Sequence, residues 1–346
     1  MKPHEPLVSV IIVGQDHARE IDGALASLAA QTYENFEVLV VDDGLTDGTS
    51  ERVQHFRDER VRLVRHVLRR GMGMALQTGA EMARGRFIAL LDPDARALPQ
   101  RLAMQVAAFE ADPQLQLVGS HLGVDDANGQ RTGTVWRRPL ESDAIVAELL
   151  LRDCLSGVML RSSAWPQTEP CLLPAAHAYW LNANVAAAGK LANIDAVLTC
   201  VRRHAAPQSR VREALVESCV REVMRMQIRR LGIEPSEREL MLNRHIGAYT
   251  LPSSPQLLHE VEAWLIKLFL ANCESGRYPA RAFNRMIGCE WYEVCKFAAP
   301  IGKEALQTWR ASPLLKHWFP SVPERARFIA KCLLRHEREG NVAAMA

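Results

Sequence analysis

Two pairs of aspartates carry the chemistry this sequence offers. Asp42 and Asp43 follow the apolar run Phe36-Glu37-Val38-Leu39-Val40-Val41. Asp92 and Asp94, separated by Pro93, follow Phe87-Ile88-Ala89-Leu90-Leu91. Carboxylates gathered in one place repel unless a cation or hydrogen-bond donors lie between them. A hard cation such as Mg²⁺ or Mn²⁺, itself bound to phosphate oxygens, supplies that charge, so the pairs point to a metal or diphosphate site. Aspartate also favours turns, and one pair alone reads equally well as a capped strand end. Two pairs are harder to assign to turns.

The elements that must position these residues alternate. Leu7 to Val13 is a β-branched first strand, broken by Gly14-Gln15-Asp16. Ile21, Leu25 and Leu28 recur at helical spacing, then Phe36 to Val41 forms a second strand. Thr46 or Asp47 can cap the next helix, with Gly48 easing the turn. Val61 to Val64 is a short third strand. Met72, Leu76, Ala80 and Ala83 line a helix that leads into the run at Phe87, and Pro99 opens another carrying Leu102, Val106 and Phe109. This order predicts an α/β domain, a mostly parallel sheet with helices on both faces. Ligands of such sheets bind beyond the carboxyl ends of the strands, where both pairs fall.

Composition narrows the function classes. The 346 residues suffice for two domains. With 42 Lys and Arg against 40 Asp and Glu the net charge is +2, which gives no support for a nucleic-acid partner. Eight cysteines without a Cys-x-x-Cys pair are expected to be reduced thiols of a cytosolic protein, and Cys289 and Cys295 lack the histidine spacing of a zinc site. With no apolar run behind Met1-Lys2-Pro3-His4 no secretory signal is expected, and no apolar run reaches the ~18 residues needed to cross a bilayer. There is no Gly-x-Gly-x-x-Gly fingerprint or Walker sequence, which weighs against a generic nucleotide-binding α/β protein.

The stretch from Leu7 to Gly133 resembles the GT-A domain of the family 2 glycosyltransferases. The motifs are Val8-Ser9-Val10-Ile11-Ile12, Gln31-Thr32-Tyr33-Glu34-Asn35-Phe36-Glu37, and Val41-Asp42-Asp43-Gly44 with Thr46-Asp47-Gly48-Thr49. Ala83 through Asp94 and Leu117-Val118-Gly119-Ser120 complete the match. The resemblance implies a GT-A-like (Rossmann-like) fold and a nucleoside-diphosphate-sugar donor. By analogy Asp42 or Asp43 would hydrogen-bond the nucleobase, and Asp92 and Asp94 would match the Asp-x-Asp that holds Mg²⁺ or Mn²⁺ on the diphosphate. Such enzymes invert at the sugar and need a general base on the acceptor hydroxyl.

The departures fall at functional positions. Where the family carries Pro-Thr-Tyr-Asn, this chain has Val13-Gly14-Gln15-Asp16. The nucleobase would meet Gln15 and Asp16 there instead of an aromatic ring. Leu76-Gln77 replaces the family's Arg-Asn before Gly79. Leu191 to Leu198, followed by Arg202-Arg203-His204, resembles the close of the catalytic domain, and Trp180-Leu181 matches its aromatic helix. The Glu-Asp pair expected just before that helix, whose aspartate is the base, is missing: no Asp or Glu stands between Glu169 and Asp195. His177 can replace it, since an imidazole titrates in the right range, or it can be a packed helix histidine. Glu169 or another carboxylate can swing in, or the protein can bind a nucleotide or sugar without turnover.

From about Val211 the texture turns helical. Val216, Val220, Val223 and Met224 mark one helix, Leu257, Val261, Leu265 and Leu268 another, and Ser253-Ser254-Pro255 is a good helix start. The expected division is a GT-A-like domain over 1–205 and an all-helical C-terminal domain over 206–346. Arg325 to Arg338 is a basic amphipathic segment, suited to an anionic membrane or acidic partner, or to packing through Phe328, Ile329, Cys332 and Leu333. Trp264, Trp291, Trp309 and Trp318 can line an acceptor groove or form core. The expected function is an inverting, metal-assisted glycosyltransferase acting on a glycan, lipid-linked or protein acceptor in surface glycan or glycoconjugate biosynthesis. It is expected in the cytoplasm, with peripheral contact at the inner membrane face. The alternative is a catalytically degenerate relative serving as a nucleotide-binding regulator or scaffold. Sugar, acceptor and oligomeric state are not readable from sequence.

Overall fold

The computed structural model describes residues 7–14, 20–44, 47–167, 171–202, 210–251 and 254–334. The chain divides into two compact units, Met1–Ile145 with Cys154–Cys219, and Val146–Asp153 with Val220–Ala346. A single cut near 205 therefore does not describe the division. Residues 146–153 belong with the helical second unit.

The first unit alternates as its sequence pattern demands. Its elements are β1 (Val8–Gly14), α1 (Ile21–Ala29), β2 (Phe36–Asp42), α2 (Thr49–His55), β3 (Val61–Arg65), α3 (Met72–Met82) and β4 (Phe87–Leu90). There follow β5 (Ala95–Ala97), α4 (Arg101–Ala111), β6 (Leu115–Asp125), β7 (Arg131–Trp136), α5 (Ser142–Glu148), β8 (Met159–Arg161), α6 (His177–Ala186) and β9 (Lys190–Arg202). The sheet order is β3-β2-β1-β4-β8-β6-β9-β5, with β7 on β6. The expected parallel arrangement holds across β3-β2-β1-β4. Beyond β4 the sheet is mixed: β8 is antiparallel to β4 and β6, and β9 is parallel to β6 and antiparallel to β5.

Continuous β-branched runs bury both faces of the central strands, and all seven residues of β1 and of β2 are buried. Leu25, Leu28, Leu102, Val106 and Phe109 join these strands in one core, as their helical spacing predicts. The N-cap of α2 is Gly48, at φ +90° and without a side-chain cap, so Asp47 does not take the capping position expected of it; one residue earlier, it accepts from the Thr49 N–H at 3.0 Å. Thr46 lies outside the described residues. Helix α3 crosses β1 at Gly79, where a Cβ would come within 2.7 Å of the Ile11 side chain.

The second unit contains α7 (Arg210–Arg229, which begins in the first unit), α8 (Glu237–Ala248), α9 (Pro255–Ser275), α10 (Ala280–Phe297), α11 (Lys303–Ala311) and α12 (Val322–Leu334). Ser254 caps α9 with Pro255 at its first turn. Trp264, Trp291 and Trp309 are buried, so they build core and line no open groove. The 146–153 segment is tied in by Arg152. Its guanidinium pairs with Glu290 at 2.7 Å, donates to the Gly247 carbonyl at 2.9 Å and lies over the Tyr249 ring at 4.5 Å. Helix α12 buries Phe328 and Cys332 but leaves Leu333 exposed, and residues 335–338 lie outside the described part. Among the described residues no helix is long and apolar enough to cross a membrane.

Candidate active site

Register places the two aspartate pairs at one sheet edge. Asp42 ends β2 opposite Gly14 of β1, and Leu90 ends β4 opposite Ile11. Asp92, two residues on, reaches the same edge from the other side of β1. Two strand spacings, about 10 Å, separate β2 from β4.

Asp43 is fully buried and engaged by its own chain. Its carboxylate accepts from His66 Nδ1 at 2.8 Å, from the Arg70 N–H at 2.8 Å and from the Gly71 N–H at 2.7 Å. In the neutral His66 ring, Nε2 then accepts from the Thr78 hydroxyl at 2.9 Å. Asp43 thus shapes the 66–71 loop between β3 and α3. Asp42, equally buried, accepts from the Ser50 hydroxyl and lies 3.4 Å from the Arg65 guanidinium. Gln15 and Asp16 lie outside the described residues.

Asp92 and Asp94 flank a tight turn. The Ala95 N–H donates to the Asp92 carbonyl at 3.0 Å, and Pro93 supplies the fixed φ that such a turn takes at its second position. Asp92 is exposed, Pro93 buried and Asp94 half-buried. Behind the turn lies Arg101, fully buried, donating to the Leu90 carbonyl at 2.6 Å and the Val158 carbonyl at 3.3 Å. Burial pulls its guanidinium down to about 10, and the negative charge of Asp92 acts in the opposite direction. Arg101 stays cationic at neutral pH and supports the strand end under the two carboxylates. Its Nη1 has no partner among the described residues. Sequence reading missed Arg101, although an arginine three residues into an apolar helix pattern was the available signal.

A cavity of about 190 Å³ opens at this edge, walled by Ile11 and Val13 of β1, Asp92, Leu76 of α3, Asn182 of α6 and Thr199 of β9. It is smaller than the ~300–1,000 Å³ of pockets that enclose whole drug-sized ligands. It suits one sugar-sized moiety. Thr199, itself buried, has a hydroxyl with no partner among the described residues.

The expected base is not drawn into this cavity. Ala178 and Asn182 represent α6 in its wall, and Asp92 is the one carboxylate among the described lining residues. His177 opens α6 after Ala176, which sits at φ +60° and offers no side-chain cap. The His177 Nε2 is buried with no partner among the described residues, and burial lowers the pKa of the ring. Glu169 lies outside the described residues.

Among the described residues no three His, Cys, Asp or Glu side chains gather as a metal-holding group. Two carboxylates at an open turn do not fit a permanently resident ion. They do fit Mg²⁺ or Mn²⁺ whose shell is completed by a diphosphate and water.

Residues 9–161 match the sequence profile of glycosyl transferase family 2. This stretch is a family 2 glycosyltransferase domain. An uncharacterized glycosyltransferase of Haemophilus influenzae is 26% identical over 247 residues, covering 66% of this chain and 76% of that protein. The Escherichia coli UDP-Glc:alpha-D-GlcNAc-diphosphoundecaprenol beta-1,3-glucosyltransferase WfgD is 37% identical over 101 residues, 29% of this chain and 40% of that one. Staphylococcus aureus TarS 1-349 shares the fold with a TM-score of 0.50 at 16% identity, over 88% of this chain and 89% of its own. The first unit thus has a GT-A-like architecture in which the Asp-Pro-Asp turn follows β4.

Proposed function

We propose that the first unit binds a nucleoside-diphosphate sugar at the carboxyl edge of β1, β2 and β4. The sugar passes, with inversion, to a hydroxyl of a glycan, lipid-linked or protein acceptor during surface glycan or glycoconjugate assembly. The observation that carries this reading is the position of Asp92, exposed on the Asp-Pro-Asp turn and in the wall of a sugar-sized cavity inside a family 2 domain. The likeness to an enzyme named for a UDP-glucose donor supports a nucleotide-sugar donor.

The residues divide the work. Asp42, beside Arg65, is the candidate for the nucleobase, and Asp43 holds the backbone that follows β3 in place. Asp92 and Asp94 would hold a divalent ion on the diphosphate, where it offsets charge on the departing nucleotide. Arg101 holds the turn that presents them. Thr199, Asn182 and Ser156 give the cavity its polar contacts for sugar hydroxyls.

A second reading is favoured by α6. With Ala178 at the cavity and no added carboxylate among the described lining residues, the domain can bind a donor and act as a nucleotide-binding regulator or scaffold. A missing base costs ~10²–10⁴ in rate, so slow transfer survives its loss. Incubating the full chain with UDP, GDP and dTDP sugars and Mn²⁺ separates the readings. Release of nucleotide diphosphate that disappears in Asp92→Ala/Asp94→Ala supports the transferase. Saturable donor binding without release supports the binding protein, and neither binding nor release contradicts both.

A further inference from the structure

The loop between β3 and α3 turns its apolar residues outward. Val67 is 97% exposed and Leu68 77%, with Arg65, Arg69 and Arg70 exposed around them and His66 buried. The loop is held at both ends. Asp43 fixes it through the His66 ring and the Arg70 and Gly71 N–H groups, and the His66 N–H donates to the Asp42 carbonyl at 2.9 Å. Its middle lies against Gly44, where a Cβ would come within 2.9 Å of the Arg69 nitrogen. A loop pinned this way cannot fold its valine and leucine under itself. Neither side chain contributes burial to the protein's own stability.

We propose that this loop docks on an anionic lipid bilayer. Val67 and Leu68 enter the boundary between headgroups and acyl chains, while Arg69, Arg70 and the outer part of Arg65 meet lipid phosphates. Two kinds of attraction, apolar insertion and a basic collar, are what reversible membrane docking requires. Guanidinium groups match phosphate oxygens with paired hydrogen bonds. A protein partner fits less well, because a stable protein interface buries more than about 1,000 Å² and the apolar surface here is two side chains on a protruding tip. The loop runs directly into α3, whose Met72 and Leu76 line the cavity. Docking would set that rim near headgroup level, convenient for a lipid-linked acceptor. That last consequence rests on the proposed transferase function, whereas the docking itself does not.

Sedimentation of the full chain with vesicles tests the proposal. Phosphatidylcholine vesicles containing phosphatidylglycerol should carry the protein down, and pure phosphatidylcholine vesicles should do so much less. Val67→Ser/Leu68→Ser should lower the partition coefficient by about tenfold or more. Arg69→Ser/Arg70→Ser should lower it about fivefold per arginine and erase most of the preference for phosphatidylglycerol. Both variants should keep the wild-type melting temperature, since the side chains are exposed, and Leu333→Ser/Leu334→Ser on α12 should bind as wild type. No binding to either vesicle, undiminished binding of Val67→Ser/Leu68→Ser, or loss of binding only in the α12 variant would overturn the proposal. So would attachment of the loop to an acidic protein but not to vesicles.

Discussion

At the scale of single residues, the four aspartates that look alike in sequence are used differently. Asp43 accepts three hydrogen bonds from groups 23 to 28 positions away, a non-local arrangement that no local pattern encodes. Asp92 is exposed and stands in the wall of the cavity. Removing Asp43 leaves the His66 ring and two N–H groups without their acceptor. Asp43→Ala should therefore cost ~2–4 kcal/mol in urea unfolding, against under ~1 kcal/mol for Asp94→Ala. His177 gives a prediction with a defined sign. Burial holds its folded pKa below the ordinary 6.5, so the unfolded chain binds the proton more readily. Stability is full above 6.5 and falls as pH drops through 6.5 toward the lower folded value. His177→Gln should flatten that acid-side loss of the urea midpoint, while a wild-type-like slope in the variant would remove His177 as its cause. With its Nε2 buried, His177→Ala should slow turnover by less than about tenfold; a loss of ~10²–10⁴ would restore it as the base.

At the scale of elements, hydrophobic period carried much of the fold. Buried strands β1, β2 and β4 and helices α1, α3, α4, α7 and α9 announce themselves through β-branched runs or repeating apolar positions. The strands that complete the sheet do not. β5 and β8 have three residues each, and β7 is exposed along nearly its whole length, so neither length nor alternation marks them. Their places are fixed by pairing with β9, β4 and β6. The second unit shows the same limit: the 146–153 segment lies far in sequence from the helices that enclose it. Arg152 is its anchor, and truncating it leaves Glu290 as an uncompensated buried carboxylate. Arg152→Ala should destabilise the protein by ~3–5 kcal/mol, read by thermal or urea unfolding. A change under ~1 kcal/mol would show that the segment is held without it.

At the scale of the whole molecule, a family 2 glycosyltransferase domain is joined in one chain to a helical unit. The part of the site legible in sequence is the part carried by contiguous motifs at strand ends, above all Asp92-Pro93-Asp94. The supports behind it were not legible: Arg101 under the turn, the cavity wall from α6 and β9, and the loop shaped by Asp43 all depend on tertiary placement. The central claim is that Asp92 and Asp94 bind a nucleotide-sugar diphosphate through a divalent ion. Calorimetric titration of the full chain with UDP, GDP and dTDP sugars, with and without Mn²⁺, tests it most directly. Saturable binding of one donor that requires Mn²⁺ and is lost in Asp92→Ala/Asp94→Ala, with the variant still folded, is the predicted result. Binding that persists without metal and in the double variant, or no binding of any donor, would contradict it.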